Sequence, residues 1–166
     1  MKKNRTLNIA VGFSIAIVAL VFCSSDVRAG SWQGIEPLKS RRADVLQALG
    51  TPVSDPFGGP LTFKILGGTA SISFVDENFV RTKKLRAELA GTVLTIILQH
   101  EQSSNTPDSM GLLKNRDFAR EETKNALIFR NLKDGIAYTF LDGKLKTTRY
   151  TFSDSQISRA RRSGGN

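Results

Sequence analysis

Trp32 to Pro52 reads WQGIEPLKSRRADVLQALGTP, an irregular lead-in followed by a helix. Ser40 is a good N-cap residue, because its hydroxyl can accept a backbone N–H from the first helical turn. Val45, Leu46 and Leu49 then fall on one helical face, and Gly50 before Thr51-Pro52 supplies a left-handed cap and a stop. The spacing predicts a helix of about nine residues, roughly two and a half turns. A helix this short is unstable alone in water, so its apolar face must dock. The strands further on are the surface available to it. In the lead-in, Gly34 and Pro37 punctuate the chain, and Trp32 is expected to pack as a lid over the helix or a sheet edge.

Beyond the helix, residues 53–60 (VSDPFGGP) form a loop by composition. Leu61, Phe63 and Ile65 alternate with polar residues, Gly67-Gly68 offers a two-residue turn, and residues 69–75 return with Ile72 and Phe74 on one face. Leu85 and Leu89 sit at helical spacing, which predicts a helix over residues 79–90. Residues 92–99 (TVLTIILQ) are apolar at successive positions, as in a central strand covered on both faces. Residues 100–125 are polar and show no strand pattern, although Thr106-Pro107-Asp108 opens like a short helix over 107–113. Residues 126–132 read as a strand. Ile136, Tyr138 and Phe140 alternate on another, and Asp142-Gly143 is a type I′ hairpin signal before a return over 144–152.

That hairpin contains a conflict. Pairing Leu141 with Lys144 puts Phe140, Tyr138 and Ile136 on one face with Leu145, Thr147 and Arg149, and sends Tyr150 and Phe152 to the other. A one-residue slip flips every side chain, so either a bulge lies near Lys146–Thr148 or the sheet is covered on both faces. The bulge is the favoured reading. The expected fold is α+β: a twisted antiparallel sheet of about five or six strands with one or two helices packed on it. It occupies residues 30–153, and 154–166 form a basic, flexible C-terminal tail.

Residues 1–29 are read separately, as a secretory signal peptide. Lys2, Lys3 and Arg5 precede an apolar run from Ile9 to Cys23, and Val27-Arg28-Ala29 ends on small residues at the cleavage-determining positions. The run is about 15 residues, short of the roughly 20 that span a bilayer. A retained signal anchor and a lipoprotein acylated at Cys23 are the alternatives; the bulky Phe22 fits lipoprotein processing poorly. The expectation is an exported protein, periplasmic or secreted. Of 166 residues and a formal charge of +9, cleavage after Ala29 leaves 137 residues with 20 basic and 14 acidic side chains, a net +6. The single Cys leaves with the leader, which excludes disulfides and thiol chemistry from the mature chain. Its length is enough to bury one core without staples.

The segment Trp32-x-Gly34-Ile35-x-Pro37-Leu38-x-Ser40-x-Arg42-x-Asp44-Val45-x-x-x-Leu49-Gly50-x-Pro52 resembles the opening of a group of small, exported, uncharacterised bacterial proteins. In those a Thr usually follows the Ser, where this chain has Arg41. The Gly135-Ile136-x-Tyr138-x-Phe140-x-Asp142-Gly143 hairpin is similar to theirs as well. A second, shorter likeness is to outer-membrane-assembly lipoproteins of the SmpA/OmlA (BamE) type, which share a helix ending in Leu-Gly-x-Pro before antiparallel strands. The resemblance implies the fold and export, and carries no activity.

Few residues offer chemistry. His100 is the one imidazole; as a general base it would need Ser103, Ser104 or Ser109 as nucleophile, with Glu101 or Asp108 orienting it. The bland reading is a strand-end histidine bonded to its loop, and a Gly-x-Ser-x-Gly elbow is absent. One His and no mature Cys do not build a typical zinc site, and no EF-hand spacing exists. Neither glycine pair precedes a helix opening with Lys-Ser/Thr, so no phosphate loop is present and no cofactor is expected. Arg41 and Arg42 sit in the first helical turn, where cations are disfavoured by about 0.3–1 kcal/mol; pairing with Glu36 and Asp44 would offset this. Arg81, Lys83, Lys84 and Arg86, then Lys144, Lys146 and Arg149, then Arg159, Arg161 and Arg162 are three basic clusters. If they converge, the expected partners are anionic lipid head groups or another envelope protein. No recognition-helix, OB or RRM motif points to nucleic acid. The leading expectation is a non-enzymatic envelope protein that serves as a binding or assembly module. A small secreted hydrolase centred on His100 and an inhibitor-like secreted domain are the alternatives.

Overall fold

In the computed structural model the described residues are 30–161. The segment expected to be a signal peptide, with Cys23, and Arg162 with the residues after it lie outside them. The alternating segments become strands: β1 (Leu61–Ile65), β2 (Gly68–Phe74), β3 (Val93–His100), β4 (Ala119–Glu122), β5 (Leu127–Asn131), β6 (Ile136–Leu141) and β7 (Lys144–Thr151). They form one sheet in the order β1-β2-β3-β7-β6-β5-β4, antiparallel throughout. Two meanders, β1–β3 and β4–β7, therefore meet where β3 pairs with β7. Seven strands exceed the five or six expected, and β4 is the addition. It is exposed at every residue, so no apolar alternation announced it. Its ladder to β5 holds it, with an Arg130–Glu121 ion pair at 2.6 Å across the two strands.

The Asp142-Gly143 turn forms with both residues at positive φ (51° and 72°). The bulge is present: Thr139 faces Thr147, but Phe140 faces Leu145, leaving Lys146 without a partner across the ladder. Leu145, Thr148 and Tyr150 thereby share a face with Phe140, Tyr138 and Ile136, which resolves the conflict with one covered face. The other face is open. There Thr62, Ser71, Thr95, Ile97 and Thr147 are only half-buried, so β3 is not covered on both sides as its composition suggested. The turn after β1 is Leu66-Gly67, one residue earlier than Gly67-Gly68, because Ile65 pairs with Gly68.

Three apolar clusters lie on the covered face. The first joins Ile35 and Val45 to Leu61, Phe63, Ile72 and Ile96, with Trp32 packed against it. The lead-in is stitched to the sheet: the Leu38 N–H donates to Val93 O and the Val93 N–H to Ser40 O, both at 2.7 Å. Helix α1 (Arg42–Leu49) is more peripheral than its pattern implied, since only Val45 is buried and Leu46 is 36% exposed. It also starts one residue late. Arg41 is the N-cap, its N–H donating to the Asp44 carboxylate (2.7 Å), while Ser40 Oγ accepts the Glu36 N–H (3.0 Å) in the turn before.

A second cluster is built from Val75, Val80, Leu85 and Leu89 with Ala160. The helix expected over 79–90 is instead α2 (Glu77–Lys83), capped by Asp76 and stopped by Lys84 in the left-handed region (φ 54°), followed by a 3₁₀ turn at Ala87–Leu89. Leu85 and Leu89 are both buried, but an extended link and a tight turn deliver them, not one helix. Nor does the chain's pattern end at Ser153. Residues Asp154–Ala160 form α3, opened by a capping box in which the Gln156 N–H donates to Ser153 Oγ and the Ser153 N–H to Gln156 Oε1. The part of the expected tail that is described is thus helical and docked. In the third cluster, Leu112 covers Phe129, Phe140 and Leu145. The helix expected over 107–113 is replaced by a Thr106–Ser109 turn and a 3₁₀ turn at Leu112–Lys114, with Gly111 (φ 66°) between them.

Candidate functional site

Two of the three basic clusters converge. Arg81 and Lys83 lie in the last turn of α2 and Lys84 is its C-cap. The chain leaving α2 then runs beside the exit of α3: Leu85 pairs with Arg161, and the Arg86 N–H donates to Ala160 O at 3.0 Å. Burial of Leu85 and Ala160 in the second cluster pins this pairing, so the side chains flanking them share one end of the molecule. Arg86, Arg159 and Lys39 line a cleft of about 210 Å³ there with Glu36. Partial neutralisation comes from Glu36 on Lys39 (3.0 Å) and Glu88 on Arg86 (3.3 Å). Lys83, Lys84 and Arg161 form no ion pair among the described residues.

Lys144 and Lys146 do not join that surface. They stand at the hairpin end of β7, whereas α3 follows its other end. Arg149 pairs across the ladder with Ala137 and Ile97 and projects from the open face. Arg41 and Arg42 are engaged elsewhere. The Arg41 guanidinium donates to Glu88 O (2.7 Å) and Ala90 O (3.2 Å), satisfying carbonyls at the end of the 3₁₀ turn. Arg42 pairs with Asp55. These contacts, with Asp44 at the cap, compensate for two cations at a helix N-terminus. Glu36, which the sequence offered as a partner, takes Lys39 instead.

His100 ends β3 on the covered face, with Nε2 2.9 Å from Thr148 Oγ1. Burial lowers its pKa from the ordinary 6.5. Tyr138 lies opposite Thr148 on the next strand; burial raises the pKa of Tyr138 and of Tyr150, and Tyr138 adds to the shift at Tyr150. None of the proposed triad partners reaches the imidazole. Ser103 Oγ accepts the Asn105 N–H (3.2 Å), Ser109 is bonded to Thr106, and the Asp108 carbonyl accepts the Gly111 N–H (2.8 Å). The hydroxyl that His100 does meet belongs to Thr148, only 4% exposed. A general base must reach an accessible nucleophile, and the described residues assemble no such constellation. Glu101 and Ser103 are instead brought together with Lys144 and Lys146, around a cleft of about 410 Å³.

No family model, curated protein or solved structure matches this chain.

Among the described residues, no three His, Cys, Asp or Glu side chains gather where they could hold a metal ion. One feature went unread in the sequence. The joining of Arg81–Arg86 to Arg159–Arg161 depends on tertiary pairing, and no local pattern announces it. The half-buried position of Lys146 outside the ladder follows from the bulge, which the arithmetic of the hairpin did signal.

Proposed function

We propose that this is a non-enzymatic exported envelope protein, periplasmic or secreted, that binds an anionic partner through the basic end formed by α2 and α3. Anionic lipid head groups are the partner this surface fits best. The observation that carries the reading is the pairing of Leu85 with Arg161 and of Arg86 with Ala160, which puts two cationic clusters side by side. The leader supports export, and the resemblance of residues 32–52 to exported proteins points the same way.

Each engaged Lys or Arg near an anionic membrane contributes about 1 kcal/mol. The mature protein should therefore sediment with vesicles rich in anionic lipid and not with zwitterionic ones. Binding should fall steeply as added salt shortens the screening length from about 10 Å at 0.1 M to about 3 Å at 1 M. The double variant Lys83→Glu, Lys84→Glu should reduce binding while the melting temperature stays close to wild type, since both side chains are exposed. Binding that ignores salt and this double reversal, or no binding at low salt, overturns the reading.

A further inference from the structure

We propose that the cleft between residues 101–104 and the start of β7 binds a small hydroxylated oxyanion, a sugar carrying a phosphate or a carboxylate. It lies at the opposite end of β7 from the basic surface of α2 and α3, and stands on separate observations.

The walls are fixed by backbone bonds. Past His100 the chain is held on one side by the Glu101 N–H, which donates to Gly67 O (3.0 Å), and on the other by the Leu145 N–H, which donates to Asn105 O (2.9 Å). Ser103 Oγ, accepting the Asn105 N–H, folds the segment between them. The close approach below is enforced at Gly68, where an added Cβ would lie 1.8 Å from Gln99 O. The bulge supplies the cations. In a regular strand Lys144, Lys146 and Thr148 would all face the covered side; here Leu145 takes that side and Lys146 is left out of the ladder. Lys146 is half-buried and lines the cleft with Lys144, Ser103, Ser104, Gln102 and Glu101.

Two ammonium groups and one carboxylate leave this cleft with a formal +1. Glu101 forms no ion pair with either lysine among the described residues, so the cationic groups are not spent on it. Ammonium groups and serine hydroxyls are donors that suit the oxygens of phosphate or carboxylate. Glu101 and Gln102 add a carboxylate and an amide to the lining, groups that bond hydroxyls and that an inorganic anion would not use. At about 410 Å³ the cleft lies within the range of small-molecule sites.

Titration calorimetry of the mature protein with glucose 6-phosphate, glucuronate, inorganic phosphate and glucose decides the matter. Either sugar anion should bind more tightly than inorganic phosphate, and glucose should not bind; the stronger of the two names the anionic group. Lys146→Gln should weaken binding by about tenfold, the worth of one charge-assisted contact, and Lys144→Gln should do likewise. Ser104→Ala, at an exposed residue, gives a variant whose folding does not depend on the hairpin and should weaken binding as well. The Lys83→Glu, Lys84→Glu protein should bind the sugar anion as wild type does, which separates failure here from failure of the membrane reading. No binding by either sugar anion, or binding that the Lys146 and Ser104 variants leave unaltered, overturns the proposal.

Discussion

Val45 and Leu49 show how far a side-chain pattern carries. Their spacing identifies one helical face, and that face does dock. Yet Val45 is fully buried, Leu49 is half-buried and Leu46 is 36% exposed, because α1 rests near the margin of the first cluster. Ile35 and Pro37, which no period marks, are almost completely enclosed. Depth of burial is a property of what the rest of the chain places overhead, so periodicity alone ranked the helix above its lead-in. His100 was legible in the same partial way. Its position at a strand end can be read from the sequence; its partner Thr148, 48 residues away, cannot. The burial that lowers its pKa predicts a pH effect. Between the depressed folded value and the ordinary 6.5, the unfolded chain binds more protons than the folded one, so stability rises with pH. Wild type should be fully stabilised above 6.5, lose stability as pH falls below it, and complete that loss under the folded pKa. In denaturant titrations across this range, His100→Gln should flatten the dependence. An unchanged slope would assign the effect to carboxylates instead.

At the level of elements, turn chemistry and alternation were the reliable signals. Asp142-Gly143 made its hairpin, and counting faces across it located the bulge that Lys146 occupies. Strand β4 escaped because Ala119-Arg120-Glu121-Glu122 has no apolar face: an edge strand can be held by its ladder and blunted by charge. Helix α3 escaped because its seven residues carry only Ile157 and Ala160 as apolar positions, too few to set a helical period although Ser153 and Gln156 form a capping box. The two meanders also differ in why their glycines are needed. At Gly68 an added methyl meets the backbone of β3, whereas at Gly143 (φ 72°) nothing lies within 4 Å and only the left-handed backbone resists. Gly68→Ala should therefore cost about 1–3 kcal/mol or more by forcing β2 from β3. Gly143→Ala should cost about 1–2 kcal/mol of turn strain. Equilibrium denaturation that places Gly143→Ala as the more damaging change would mean that β2 and β3 can part without penalty.

Taken whole, the molecule is two local meanders joined by one long-range pairing, and that joint is what the sequence left unread. Each hairpin is written into its own turn, but nothing local says that β3 meets β7 rather than β4. The same geometry predicts the distribution of opening. Amides of Ile96–Leu98 and their partners on β7 sit between covered strands and should exchange most slowly; those of Arg120–Glu122, on an exposed edge, should exchange first. Protection at β4 equal to that at β3 would show the sheet opening as one unit. The central position of β7 also has a kinetic consequence. Synthesis delivers β1, β2 and β3 well before β7 exists, so β3 waits with an open flank until the last strand arrives. Because its partner lies some fifty residues downstream (Ile97 with Arg149), the pairing carries a long loop closure and should limit the folding rate. A chain whose middle is completed last remains threadable until it is nearly finished, as the export proposed for it would require.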